Sequence, residues 1–225
     1  MILIIGAMVE EVSALTSKMT EVSESLITDI KVVKGLLADK EVVVAQSGVG
    51  KVNAAYTTST LIAALQPNYV INIGSAGGLL EGQKVGDVVV ATSLQYHDFD
   101  IGPTTHTDPR FIFNSSSRLV DAAVHILEAN DTNYHLGLIV TGDQFITKHQ
   151  VQFKTIQEVF PQAICVEMEA AAIAAVCKRS NTEFIVLRSL SDITHTDGNE
   201  MAFEEYLPIA SENSARICLE FVKTI

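Results

Sequence analysis

Two carboxylates stand two residues apart in the segment Val166-Glu167-Met168-Glu169-Ala170. Residues 163–166 have the apolar character of the end of a buried strand, and residues 170–176 form an alanine-rich, apolar helix pattern. An ionised carboxylate in such surroundings costs several kcal/mol unless another group compensates for it. The two acids could be helix N-terminal charges stabilised by the macrodipole, or they could hold a polar substrate at a strand-to-helix junction.

Other acids, and one glycine-rich segment, also follow predicted strands. Glu10 and Glu11 come after the first strand, Ser191-Asp192 comes after the apolar residues 184–188, and Gly74-Ser75-Ala76-Gly77-Gly78 comes after another strand. Taken singly, an acid can be a solvated helix-start charge, and the glycines can form a tight turn. Because the carboxyl ends of strands in an α/β sheet border one crevice, the whole set predicts a single polar site there.

Two further motifs do not support a triphosphatase or a metal site. Residues 47–51, Ser-Gly-Val-Gly-Lys, are similar to a phosphate-binding loop, but Ala45 and Val52 replace the glycine and the metal-binding hydroxyl that such loops need. His97-Asp98-Phe99-Asp100 contains possible metal ligands, but ligand sets normally draw on several segments. The sequence therefore predicts neither nucleoside triphosphate hydrolysis nor a bound metal.

Composition restricts the class of protein and its partners. The chain has 225 residues, 48% of them hydrophobic, which suits one domain spanning residues 1–225. A formal net charge of −12 argues against nucleic-acid and membrane-surface partners, but it permits a small nucleoside ligand. Residues 1–5 are too short for a signal peptide, and no run of about 18 apolar residues occurs. Cys165, Cys177 and Cys218 lack C-x-x-C spacing, so we expect core cysteines in a reducing, cytoplasmic compartment.

Strand and helix patterns alternate along the chain. The predicted strands cover residues 2–6, 30–37, 41–46, 69–74, 87–92, 136–141 and 184–188, and the predicted helices cover residues 9–18, 51–65, 118–130, 148–160, 168–178 and 202–222. The nearly continuous apolar strands indicate an α/β sheet that helices cover on both faces. Residues 98–117 are the least regular segment and are long for a connection, which is typical of a functional loop.

Taken together, these motifs resemble the 5'-methylthioadenosine/S-adenosylhomocysteine nucleosidases. The matching stretches run in family order at residues 4–12, 47–52, 72–78, 85–89, 96–98, 142–146, 166–170 and 188–192. The resemblance implies a nucleoside phosphorylase-like fold, which is a three-layer α/β/α sandwich with a mixed central sheet. It also implies a homodimer, a role in methionine salvage, and hydrolysis of the adenine–ribose bond without a cofactor.

The resemblance also implies a role for individual residues. Glu11 would be the general base that activates water, and Asp192 would be the acid that protonates adenine N7, positioned by Ser191. Met168 and Glu169 would hold the ribose. The other implied contacts are Ser75, Ala76 and Gly77 on the ribose and water side, Phe145 and Ile146 over adenine, and Phe203 at the rim. Met8, Glu167 and Arg188 would support the site, with Arg188 compensating one of the acids, Glu167 among the candidates.

The chemistry of this bond requires such a set of acids independently. Cleavage builds oxocarbenium character on the ribose, which a nearby carboxylate stabilises. Adenine leaves poorly as an anion, so an acid must deliver a proton to N7. That acid must retain its proton near neutral pH, and burial or neighbouring acids achieve this by raising its pKa.

One segment departs from the family pattern. After Tyr96-His97-Asp98, the family has an aromatic- and glycine-rich loop that reaches the partner's 5' pocket, whereas residues 99–109 here are polar and interrupted by proline. In a homodimer, the partner's 98–117 loop would still lie near the 5' pocket. The substrate could therefore be methylthioadenosine, adenosylhomocysteine or a different 5'-substituted adenosine, such as 5'-deoxyadenosine.

Two other functions agree less well than hydrolysis with the residue types of this chain. A purine nucleoside phosphorylase needs cationic groups for phosphate, and relatives of that kind carry arginines where this chain has Asn72 and Glu10-Glu11. The acids at positions 10 and 11 would repel phosphate and suit water. A non-catalytic nucleoside-binding protein could dispense with the acid pair, and the presence of both Glu11 and Asp192 argues against that class.

Overall fold

The computed structural model describes residues 1–225, with ten strands and six α-helices. The strands are β1 Ile2–Gly6, β2 Thr20–Ile27, β3 Ile30–Leu37, β4 Lys40–Gln46, β5 Tyr69–Gly78, β6 Val88–Tyr96, β7 Phe113–Asn114, β8 Tyr134–Thr141, β9 Ala163–Glu167 and β10 Glu183–Ile193. The helices are α1 Val9–Thr16, α2 Lys51–Leu65, α3 Ser117–Ala129, α4 Val151–Val159, α5 Ala170–Ser180 and α6 Asn199–Thr224.

All ten strands belong to one mixed sheet, in which β5 is the central strand. β5 pairs in parallel with β1 and β10, and its last residues pair antiparallel with β9. β10 continues to β6, then to β8 and β9, so these strands and β5 close into a ring. β1, β4, β3 and β2 extend from β5 as an open sheet, and the short β7 adds to β6.

Helices cover both faces of this sheet, which confirms the predicted three-layer α/β/α arrangement. On one face, α2 and α5 bury an apolar cluster that includes Leu61 and Ile173. On the other face, α1, α3 and α6 bury a second cluster that includes Leu15, Leu127 and Phe221. Burial of these apolar side chains is the main free-energy term that holds the layers together.

Two strands run past their predicted ends. The strand predicted to end at Gly74 continues to Gly78 as part of β5 and pairs with β10, so residues 74–78 form no tight turn. β10 likewise continues through Asp192 after a shift in register, so this acid lies within the strand. A Cβ atom on Gly77 would lie 2.7 Å from Thr194 Oγ1 and 3.1 Å from Asp192 Oδ2. Glycine at this position therefore leaves room for the side chains of Asp192 and Thr194.

Other boundaries also differ from the predictions. β2 was not predicted, because its polar sequence has no apolar alternation and its side chains are almost all exposed at the edge of the sheet. α5 begins at Ala170 and α6 at Asn199, where the predictions gave residues 168 and 202. Residues 98–117 are irregular as predicted, with two 3₁₀ turns and the two-residue β7.

The three cysteines are free and buried, as predicted. Burial raises the pKa of each thiol, which keeps it protonated and unreactive. None of the helices combines the length and the apolar character that a membrane span requires.

Candidate active site

A cleft with a cavity volume of about 220 Å³ opens where β1, β5, β9 and β10 end. The residues that the sequence singled out all line it: Met8, Glu11, Ser75, Ala76, Gly77, Phe145, Ile146, Glu167, Met168, Glu169, Arg188, Ser191, Asp192 and Phe203. Their convergence follows from the parallel pairing of β1, β5 and β10, because parallel strands end at the same edge of a sheet.

Glu11 lies in the first turns of α1 and is almost completely buried. One of its carboxylate oxygens accepts hydrogen bonds from the backbone N–H groups of Ala7 at 2.7 Å and Met8 at 3.0 Å. The other accepts from the Ser75 N–H at 3.0 Å and the Ser75 hydroxyl at 3.2 Å. Four donors therefore fix this carboxylate, and only the hydroxyl can rotate away to admit another donor. Glu10, by contrast, is exposed to solvent.

Glu167 and Arg188 form a buried ion pair with an N–O distance of 2.5 Å. Glu167 also accepts hydrogen bonds from the Thr141 hydroxyl and from the backbone N–H groups of Glu169 and Ala170. Its carboxylate thus satisfies the free N–H groups at the start of α5. Glu167 is therefore the acid that Arg188 binds directly.

The Arg188 guanidinium donates hydrogen bonds to three different residues. Its guanidinium donates to the Asn72 side-chain oxygen at 2.8 Å and to the Ser75 carbonyl at 3.2 Å, besides its bond to Glu167. Burial opposes its charge, but the charges of Glu167, Glu169 and Glu11 outweigh burial and raise the pKa of Arg188. Arg188 is a permanent buried cation held by protein groups.

The negative charge of Glu169 has fewer direct partners than that of Glu167. It accepts a hydrogen bond from the Gly50 N–H at 2.8 Å, and its other oxygen lies 3.6 Å from Arg188. Burial and then the charge of Glu167 raise its pKa, and Arg188 and the Gly50 N–H only partly oppose them. A buried carboxyl with one direct donor retains acceptor positions that a polar ligand can fill.

Asp192 is buried and forms no salt bridge. The Ser191 hydroxyl donates to its Oδ1 at 2.9 Å, and the Asn199 amide donates to its Oδ2 at 2.9 Å. Burial raises the pKa of Asp192 in spite of these two hydrogen bonds, and the charge of Glu200 adds to the rise. Asp192 is therefore suited to hold a proton and give it up inside the cleft.

An apolar wall faces these acids. The rings of Phe145 and Phe203 meet edge to face, with centroids 5.5 Å apart, and Ile146 is buried beside them. Met168 and Val49 also line the cleft. Such a wall suits one face of a flat aromatic group.

Several groups that contact the residues of this cleft were not among the predicted site residues. Gly50 belongs to the rejected phosphate-loop motif, yet its N–H binds Glu169 from the start of α2. Asn199 contacts Asp192, and Thr194 lines the cleft with a buried hydroxyl that has no hydrogen-bond partner. Gly50 carried a detectable signal, its glycine spacing, whereas Asn199 and Thr194 lie in a segment without any motif.

The His97-Asp98 segment contributes packing and an ion pair. The His97 ring is buried against Gly142, where a Cβ atom would lie 2.3 Å from its Nε2, and burial lowers the pKa of His97. Asp98 binds Lys51 Nζ at 2.5 Å and accepts from the Asp143 N–H at 2.9 Å. Because Lys51 follows Gly50 and Asp143 precedes Phe145 by two residues, this ion pair holds two walls of the cleft together.

Comparison with known proteins identifies the family. The model of the phosphorylase superfamily matches residues 1–223. The 5'-methylthioadenosine/S-adenosylhomocysteine nucleosidase of Staphylococcus aureus strain JH9 is 42% identical over 221 residues, which cover 96% of each chain. This chain belongs to that nucleosidase family.

Solved structures of the nucleosidase family agree with the whole fold. The Neisseria meningitidis enzyme in complex with methylthio-immucillin-A is 37% identical, covers 100% of this chain and 99% of its own, and superposes with a TM-score of 0.94. The Colwellia psychrerythraea enzyme in complex with adenine is 39% identical, covers 99% of this chain and 94% of its own, and gives a TM-score of 0.91. The resemblance inferred from the motifs is thus confirmed along the full chain.

Proposed function

We propose that this protein hydrolyses the N-glycosidic bond of 5'-methylthioadenosine and S-adenosylhomocysteine and releases adenine. Membership of the nucleosidase family makes it an N-glycosyl hydrolase. The observation that carries the proposal is the convergence of three buried acids, Glu11, Glu169 and Asp192, on one cleft with an apolar wall. These are the groups that water activation, ribose binding and purine protonation require.

In this mechanism, Asp192 delivers its proton to adenine N7. The electron pair of the glycosidic bond then passes into the purine, which leaves as neutral adenine. The raised pKa of Asp192 supports this role, because burial favours its protonated form relative to an ordinary aspartic acid. The apolar wall of Phe145, Ile146 and Phe203 would cover the purine beside it.

Glu11 and Glu169 act on the ribose side. Glu11 takes a proton from the attacking water. The backbone N–H groups of Ala7 and Met8 both donate to its Oε2 and hold the carboxylate in place. Glu169 accepts hydrogen bonds from the ribose hydroxyls, with Met168 packed on the sugar. The Glu11 carboxylate also stabilises the positive charge that develops on the ribose.

The cationic groups of the cleft favour water over phosphate as the nucleophile. A phosphorylase needs free guanidinium or ammonium groups to bind phosphate. Arg188 is the only arginine or lysine that lines the cleft, and Glu167, Asn72 and the Ser75 carbonyl accept hydrogen bonds from its two terminal nitrogens. Phosphate would also meet the buried carboxylate of Glu11, which would repel it.

Chromatography of reaction products tests the proposal. Methylthioadenosine, adenosylhomocysteine, 5'-deoxyadenosine, adenosine and inosine are each incubated with the protein, with and without phosphate. We expect adenine release that does not depend on phosphate, with methylthioadenosine and adenosylhomocysteine as the best substrates. Ribose 1-phosphate products would overturn hydrolysis, and a preference for 5'-deoxyadenosine would overturn the proposed substrates.

Glu169→Gln is expected to lower kcat/KM by about tenfold or more, because the Gly50 N–H holds the amide oxygen and the ribose hydroxyls then meet an NH₂ group that cannot accept a hydrogen bond. The Gly50 N–H can still bind the amide oxygen, so the fold should persist. Steady-state kinetics with methylthioadenosine measures the effect, and Glu158→Gln on the exposed side of α4 is the matched control. Equal kinetics for the two variants would exclude Glu169 from ribose binding.

We also propose that two copies associate through the surface beside the cleft mouth. Val49, Val52, Tyr56 and Ile101 are large apolar residues that are 45–78% exposed. The Lys51–Asp98 ion pair places the start of α2 next to the 98–117 segment, so these side chains lie on neighbouring segments. In such a dimer the partner's 98–117 loop would approach the 5' end of the substrate.

Light scattering tests this dimer. We expect the wild-type protein to have twice the chain mass and Val52→Glu to shift it toward the monomer, because a charge in an apolar interface is costly. A wild-type monomer at micromolar concentration would contradict the proposal.

The three free cysteines suit a reducing compartment, and we propose the cytoplasm as the location.

A further inference from the structure

Asn199, the first residue of α6, joins the two parts of the cleft that would contact the base. Its side chain is 1% exposed. The amide nitrogen donates to Asp192 Oδ2 at 2.9 Å and to the Ile146 carbonyl at 3.0 Å. A carbonyl oxygen only accepts hydrogen bonds, so the Ile146 contact fixes which end of the amide faces Asp192. The group that meets Asp192 is therefore always a donor.

We propose that Asn199 is a positioning residue that sets both the orientation and the acidity of Asp192. This inference rests on the proposed function, in which Asp192 protonates the purine. When the Asp192 proton passes to N7, the carboxyl becomes a carboxylate, and the hydrogen bond from Asn199 becomes charge-assisted and stronger. Asn199 thus stabilises the state that follows proton transfer, and it makes Asp192 a better donor.

Few other groups around Asp192 influence its acidity as strongly as Asn199 does. The other donor is the Ser191 hydroxyl, which can rotate and can also accept a hydrogen bond. The titratable groups that face Asp192 are Glu200 from α6 and Cys165 from β9, and neither supplies a positive charge. The Asn199 amide is the one fixed donor side chain that favours the ionised form of Asp192.

The second bond of Asn199 connects the acid to the wall that would cover the base. Ile146 is buried and lies beside Phe145, whose ring packs on Phe203 of α6. By holding the Ile146 carbonyl, Asn199 fixes the distance between this wall and Asp192. Loss of the amide should therefore weaken binding of free adenine as well as proton transfer.

Kinetics across pH test the proposal with Asn199→Ala, which removes the amide, and Asn199→Asp, which keeps its shape but replaces the donor nitrogen. Asn213→Ala, on the same helix outside the cleft, is the control. Activity requires protonated Asp192, so it falls as pH rises through the pKa of this acid. Without the Asn199 donor that pKa rises, and the alkaline limb of kcat/KM should move up by about one pH unit in both variants.

We further expect kcat to fall by about tenfold or more in both Asn199 variants, and the inhibition constant of adenine to rise. Thermal unfolding shows whether each variant is folded at the assay temperature. An alkaline limb in the wild-type position for a folded variant would overturn the positioning role, whatever its kcat. Absence of adenine release by the wild-type protein would instead overturn the proposed function, so the two failures are distinguishable.

Discussion

Asp192→Asn is expected to slow adenine release by about a thousandfold, the typical contribution of a positioned general acid. The asparagine side chain has the same shape, so the cleft should keep its form. It has no carboxyl proton to give to N7, and adenine would have to leave as an anion. Steady-state kinetics with methylthioadenosine measures the loss, and KM should change far less than kcat.

The control for this variant is Asp121→Asn, at an exposed position on α3. It makes the same chemical change away from the cleft and should leave kcat unchanged. Substantial turnover by Asp192→Asn would show that another group protonates the purine. The raised pKa of Asp192 would then reflect burial alone.

Glu11→Gln is expected to reduce kcat by a factor on the order of a hundred to a thousand, because an amide cannot accept the proton of the attacking water. The structure adds a second effect. The Glu11 carboxylate is the acceptor in all four of its hydrogen bonds, which the groups on Ala7, Met8 and Ser75 donate. The new NH₂ group must face a donor, so the variant should also unfold at a lower temperature.

Glu10→Gln is the matched control, since Glu10 is the exposed neighbour of Glu11 on the same helix. It should retain both the wild-type kcat and the wild-type unfolding temperature. The two measurements separate the roles of Glu11. A lower unfolding temperature with unchanged kcat would leave Glu11 a structural group and would require a different base.

The sequence predicted the acids better than it predicted their surroundings. Glu11, Glu169 and Asp192 were identifiable because a carboxylate at the end of an apolar strand needs a physical reason. Their distinct environments depend on contacts between distant segments, such as Gly50 with Glu169, which no local pattern encodes. Asn199 is an ordinary residue type in a segment without periodicity, so only the fold reveals its contact with Asp192.

The fold prediction had the same strengths and weaknesses. Buried strands have nearly continuous apolar sequence, and those predictions agree with the structure. β2 was missed because its side chains are solvated and backbone pairing with β3 alone defines it. The glycines at 74–78 left both a tight turn and a close ligand approach open, because glycine permits either, and only the fold shows that they continue β5.

The ring of strands described above has a consequence for how activity is acquired during folding. Glu11 follows β1 and Asp192 lies in β10, and both strands pair with β5, so the two acids meet only after nearly the whole chain is in place. Contacts between residues so distant in sequence form late and slowly, because closing long loops is entropically unfavourable. During refolding, helix content should therefore recover before catalysis does. Recovery of adenine release then reports closure of the ring.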